Sequence, residues 1–169
     1  MVKGLTKTSE TVAIGFSINE SAADTFTQGS IDLNLSPLDR EVFVVTSINL
    51  DPTPPDAVAT TNTRVNTSLT TTSQVAVQNL GNANCLATAN IFFRGAGTAD
   101  SIAVYSSAAE APPATLDYLG IIATNDFFIQ IKGDGNLSAK QVNGKLYGYR
   151  AKADATIYSA LVQSEVLSS

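Results

Sequence analysis

The sequence predicts an all-β fold, and three observations carry that prediction. Apolar and polar residues alternate with a period of two over short runs. β-branched and aromatic residues fill those runs, as a pleated, half-buried surface requires. Gly, Pro, Asn and Asp then break the pattern about every 8–12 residues. Eight to ten short strands at that spacing indicate an antiparallel β-sandwich or barrel. The 169 residues fit one domain, 1–169, because domains commonly hold roughly 100–200 residues. No repeat of fixed period and no linker divides the chain.

Residues 11–18 open the series, with Val12, Ile14, Phe16 and Ile18 on the face expected to look into a core. Residues 25–35 continue it through Ile31, Leu33 and Leu35, until Pro37 removes a ladder donor. Residues 41–50 form the strongest β segment, closed by the proline cluster Asp51–Asp56, which is expected to be a stiff loop. The Thr-rich stretch 65–72 reads as an exposed or edge strand. Residues 74–80 alternate through Val75 and Val77 before Gly81–Asn84 breaks them.

Residues 86–93 and 101–105 read as strands flanking the Gly95–Gly97 turn, and 108–111 as one helical turn stopped by Pro112 and Pro113. Runs 118–123 and 126–131 are expected to form a hairpin about Thr124 and Asn125. Gly133–Asn136 reads as a tight turn. Asn143-Gly144 predicts a type I′ hairpin, since both central residues of that turn need positive φ. The end of the chain looks helical: Asp154 can cap, and Ile157, Tyr158, Leu161, Val162 and Glu165 recur at helical spacing. A helix of about ten residues is marginal alone, so it must dock. A final strand is the competing reading.

Composition excludes much chemistry. There is no histidine, one cysteine and no tryptophan. Histidine-based triads, zinc, haem and non-haem iron sites are therefore closed to a single chain, as are Cys₄ clusters. Cys85 cannot form an intrachain disulfide, and its apolar neighbours predict a buried thiol, with an intermolecular bridge or a reactive thiol as the alternatives. Gly95-Ala-Gly97-Thr-Ala-Asp100 begins like a dinucleotide loop but has Asp in place of the third glycine. Asp51, Asp56, Glu110 and Asp117 lie near prolines, where a cleft could gather them for acid–base work. Asp134 and Asn136 are too few for a calcium loop. Nothing beside Lys140 or Lys145 suggests the desolvation a Schiff-base lysine needs. The reading is therefore a non-enzyme with no catalytic, cofactor or metal site.

The net charge is −5 with a pI near 4.5, and the ten basic residues are scattered. The group from Lys140 to Lys152 reads as a solvated strand face, so there is no strong nucleic-acid signal. The N-terminus lacks the apolar core of a secretory signal, and no apolar run approaches the roughly 20 residues of a membrane span. Synthesis in the cytoplasm, or a mature fragment with a new initiator Met, is expected, and the sequons at Asn19, Asn34, Asn66 and Asn136 read as chance. Only 15% of residues are charged, against a usual ~25%. Uncharged polar surface is cheaper to desolvate than ions and suits contact between subunits.

The short alternating strands, the proline-rich loop 51–56, the text from Thr124 through Asn143-Gly144 to Ala153, and the short C-terminal segment together resemble single jelly-roll viral capsid or capsid-decorating proteins of phage or marine-virus type. The resemblance implies a structural protein whose partners are copies of itself in a symmetric, closed virion shell, and other virion proteins. It implies location in the virion and no cofactor. Lys3 and Lys7 are all that stands where such proteins often carry a basic arm, which favours genome contact handled elsewhere. The alternative reading is a lectin-like or adhesin-type β-sandwich binding module.

Overall fold

The protein, seen as a computed structural model, is described over residues 3–95, 102–107 and 116–167. Ten strands form two five-stranded antiparallel sheets that face one another. In the first sheet, β1 (Leu5–Lys7) and β2 (Val12–Asn19) share one edge of β10 (Gln141–Ala153). On its other side lie β4 (Glu41–Pro52) and then β8 (Gly120–Ile122). The second sheet runs β3 (Thr27–Asp32), β9 (Asp126–Asp134), β5 (Thr63–Thr70), β6 (Cys85–Gly95), β7 (Ile102–Ser107).

With β1 and β7 set aside, eight strands remain in the orders β2-β10-β4-β8 and β3-β9-β5-β6. The chain passes from sheet to sheet at every step except β5 to β6. That is the strand order of a jelly roll, two Greek keys wrapped into a sandwich. The all-β sandwich expectation holds.

The core lies between the sheets, where Phe43, Ile48, Leu69, Phe127, Ile129 and Leu146 are essentially inaccessible to solvent. Phe16 meets Phe127 edge to face at 5.8 Å, a favoured aromatic geometry. Strand β4 explains its own unbroken apolar text, because it is buried on both faces. Phe43 and Val45 point into the sandwich, while Val42 and Val44 point out into a second apolar cluster. Beyond Val45 the inward set moves to Ile48 and Leu50, since the register against β10 shifts there and Thr46 is the extra residue. The Thr46 hydroxyl donates to the Tyr147 carbonyl at 3.1 Å.

The helix α1 (Ala155–Leu167) covers that outer cluster. Ile157, Tyr158, Leu161 and Val162 pack on Leu5, Val42, Val44, Ala123, Ala151 and Ala153. Asp154 caps it: its Oδ1 accepts the Ile157 N–H at 2.8 Å, satisfying a first-turn donor. The helical reading of this end prevails over the strand.

Several expectations are corrected. Asn143 and Gly144 sit inside a continuous β10, paired with β2 on one side and β4 on the other. Gly144 is there for close packing, because a Cβ would come within 2.5 Å of the Asn49 carbonyl and 2.6 Å of the Phe16 ring. Thr124 and Asn125 join β8 to β9 in opposite sheets, so they make a crossover and not a hairpin. Strand β5 is central between β9 and β6, and mostly buried, not an exposed edge. Residues 74–80 form no strand. They belong to a loop lying on the outer face of the second sheet, where the Gln78 N–H donates to Ser68 Oγ at 3.1 Å. Strand β4 extends through Pro52, into the proline cluster. Strand β3 ends at Asp32, before Leu33 and Leu35, which are buried all the same. On β2, Ile14, Phe16 and Ile18 do pack on the core, but Val12 is 44% exposed. Residues 108–113 lie outside the described residues, as does the Gly95–Gly97 turn beyond Gly95; the strands that flank this turn, β6 and β7, do pair.

Candidate functional site

One end of the sandwich gathers the β2–β3, β4–β5 and β9–β10 loops, and Glu20 and Lys140 are buried there. Glu20, Asn136 and Lys140 are each at least nine-tenths buried. Glu20 follows β2, and its carboxylate accepts the Gly133 N–H at 2.5 Å and the Lys140 N–H at 2.8 Å. One side chain thereby ties the two sheets together. Gly133 is required at that spot: a Cβ would sit 3.2 Å from both Glu20 oxygens and 2.5 Å from Asn136 Nδ2.

Asn136 joins all three loops. Its N–H donates to Asp24 Oδ1 at 3.0 Å, its Oδ1 accepts the Asp56 N–H at 2.9 Å, and its Nδ2 donates to the Arg64 carbonyl at 2.9 Å. Asp24 holds a left-handed φ of 59° in reaching it, a conformation Asp tolerates better than most residues. Gly135, at φ 72°, makes the turn that presents Asn136.

Asp56 is the acceptor for the other half of the cluster. Lys140 Nζ donates to its Oδ1 at 2.6 Å. Its Oδ2 accepts the Leu137 N–H at 2.9 Å and both the N–H and hydroxyl of Ser138 at 3.2 Å. The Lys140 hydrogen bond holds the Asp56 carboxyl below its usual range, against the opposing pull of partial burial, and the Leu137 N–H adds to the lowering. The carboxylate is therefore charged at neutral pH and fully engaged. Such a group binds loops; it is poorly placed to accept a proton from a substrate.

Of the acids expected near prolines, only Asp56 enters this cluster. Asp51 lies exposed on β4 opposite Asn143, Asp117 is exposed, and Glu110 lies outside the described residues. Asp134 belongs to β9 and pairs with Arg64 at 3.2 Å. Lys140, expected to lack desolvation, is in fact buried, whereas Lys145 is exposed. The Lys140–Lys152 stretch is correspondingly no uniform basic face. Lys140 pairs with Asp56, Arg150 with Glu41 at 3.3 Å, and Lys152 lies 3.9 Å from Asp39.

Sequence reasoning missed Glu20 and the role of Asn136. Their only local signal is a polar residue beside a turn, which every loop in this chain supplies. Cys85 is buried as expected, and burial pushes its thiol pKa up, which suppresses the reactive thiolate. Among the described residues no group of three or more Cys, Asp and Glu is arranged to hold a metal ion. No helix there is long and apolar enough to cross a membrane.

No protein-family model matches the chain, and no curated protein matches it. Among solved structures, a chain of desmodium yellow mottle tymovirus is similar over 87% of this chain and 91% of its own, at 11% identity and a TM-score of 0.32. The tailspike protein gp49 of Acinetobacter baumannii bacteriophage Fri1, described as a capsular polysaccharide depolymerase, is similar over 88% of this chain and 20% of its own, at 8% identity and a TM-score of 0.18.

Proposed function

We propose that this chain is a structural subunit that self-assembles through the surfaces of its β-sandwich into a virion shell. The observation that carries the reading is the jelly-roll strand order, β2-β10-β4-β8 over β3-β9-β5-β6. Capsid proteins use that fold, and so do lectins and cupins, so the step from fold to shell is an analogy. Composition supports it: a chain with 15% charged residues presents little charge to oppose association. Large apolar side chains stand in water on several loops, with Leu38 97% exposed, Val75 92% and Leu137 78%. Loop tips are where neighbours in a closed shell can touch.

The partners are copies of the chain and other virion proteins, the location is the virion, and the role is not enzymatic. In the polar cluster, Glu20 and Asp56 are occupied in holding loops together, which supports a building role. Light scattering of purified protein, with negative-stain microscopy, tests the proposal. Closed particles or regular oligomers are expected as concentration rises. A species that stays monomeric at every concentration, salt and pH would remove the shell reading.

A further inference from the structure

We propose that the cavity between the β5–β6 loop and the start of β9 is a binding site for a neutral sugar. It lies at the end of the sandwich opposite the buried polar cluster, and its volume is about 420 Å³, within the usual range for small-ligand sites. Thr71 to Ser73 line one side and Thr124 to Asp126 the other, together with Phe128.

Four features select the ligand class. No lysine or arginine lines the cavity, which disfavours phosphates and other anions. Phe128 lies between the inward-facing Phe127 and Ile129, so alternation turns it to the outer face of the sheet, where it is half-buried. An aromatic surface of that kind suits the C–H face of a sugar ring. The polar groups mix donors and acceptors, as vicinal hydroxyls require. Asp126 offers an acceptor. Asn125 Oδ1 is already taken by the Leu35 N–H at 2.7 Å, which leaves its amide N–H groups to donate.

The fourth feature is Thr71. It is 4% exposed, and its Oγ1 has no hydrogen-bond partner among the described residues. Buried polar groups are nearly always paired, and an unmet one is destabilising. A hydroxylated ligand, with a small adjustment of the loop, supplies that partner. The site does not depend on self-assembly, although many copies in one shell would multiply a weak affinity through avidity.

Saturation-transfer NMR on the full chain tests this with glucose, galactose, mannose and N-acetylglucosamine. Each sugar at about 10 mM is enough to detect a Kd near 1 mM. Transfer to at least one sugar is expected, weakened about tenfold or more by Phe128→Ala and by the near-isosteric Asp126→Asn. Should Phe128→Ala fail to fold, Asp126→Asn decides. Three outcomes overturn the proposal: no transfer to any of the four sugars, transfer unchanged in Asp126→Asn, or a response of these residues to calcium chloride with none to sugar. The last would point to a cation held by Asp126 and Asp32, which face each other across the β3–β9 register.

Discussion

The two outer faces of the sandwich are covered by opposite means. On the first sheet, α1 lies over Val42, Val44, Ala151 and Ala153, and the contact is apolar apart from Glu165. On the second sheet, the loop 71–84 covers Ser68, Thr70 and Gln130, and the contact is a hydrogen-bond network. Ser68 Oγ donates to Gln130 Oε1 at 2.6 Å, and Gln130 Nε2 donates to Thr70 Oγ1 at 2.7 Å and Gln28 Oε1 at 2.9 Å. Gln28 in turn accepts the Gln74 N–H at 2.8 Å and donates to Ser73 Oγ at 2.9 Å. The helix is held by area removed from water, which tolerates small shifts. The loop is held by directional bonds, which fail one at a time and leave an orphan behind. The first cover should be stronger, the second more specific.

The largest expected effect breaks the apolar cover. Val44→Asn buries an amide under α1 with no partner and loses the valine's transfer energy, for about 4 kcal/mol in total. Urea unfolding measures it; a cost smaller than that of the polar-face variant would reverse the comparison. On the other face, Gln130→Leu takes one hydrogen bond from each of Ser68, Thr70 and Gln28, leaves the Ser68 hydroxyl without its acceptor, and should cost about 2–3 kcal/mol. Adding Ser68→Ala to Gln130→Leu should cost less than Ser68→Ala does alone, because the Ser68–Gln130 bond is already gone. Strict additivity of the two would mean the network does not act as a unit.

The smallest effect concerns Glu165, the polar exception beneath the helix. Its Oε1 accepts the Ala123 N–H at 2.7 Å and its Oε2 the Thr124 N–H at 3.0 Å. Burial raises its pKa above the ordinary value of 4.5, outweighing the lowering by those donors. A raised folded-state pKa means that folding takes up a proton. The stabilisation is full below the unfolded value and is lost as pH rises through the folded one. Wild type should therefore lose ground to Glu165→Gln in melting temperature between acid and neutral pH. A constant difference across that range would show that Glu165 does not titrate with docking.

The apolar cover was legible in the text and the polar one was not. Ile157, Tyr158, Leu161 and Val162 announce a helix by their spacing, and the unbroken run Val42–Val45 shows a strand wanted on both faces. Gln74–Leu80 alternates as a strand would, yet the Gln74 N–H bonds Gln28, 46 residues away, and the Gln78 N–H bonds Ser68 on the sheet beneath. Hydrogen-bond partners at that separation leave no period to read. Asn143-Gly144 fails for a related reason: turn propensity is local, and two full-length neighbouring strands outweigh it. At the loop end, Glu20 meets Lys140 only after 120 residues of chain have folded between them, so a cluster joining three loops had no compact signature.

One thiol in the whole chain has a practical consequence. Cys85 begins β6 opposite Thr70, beside the irregularity between Leu69 and Thr70, and it is 8% exposed. A thiol reagent can reach it only when that stretch parts. The rate of modification would then time the opening of this seam directly, on a molecule that needs no label added and none removed.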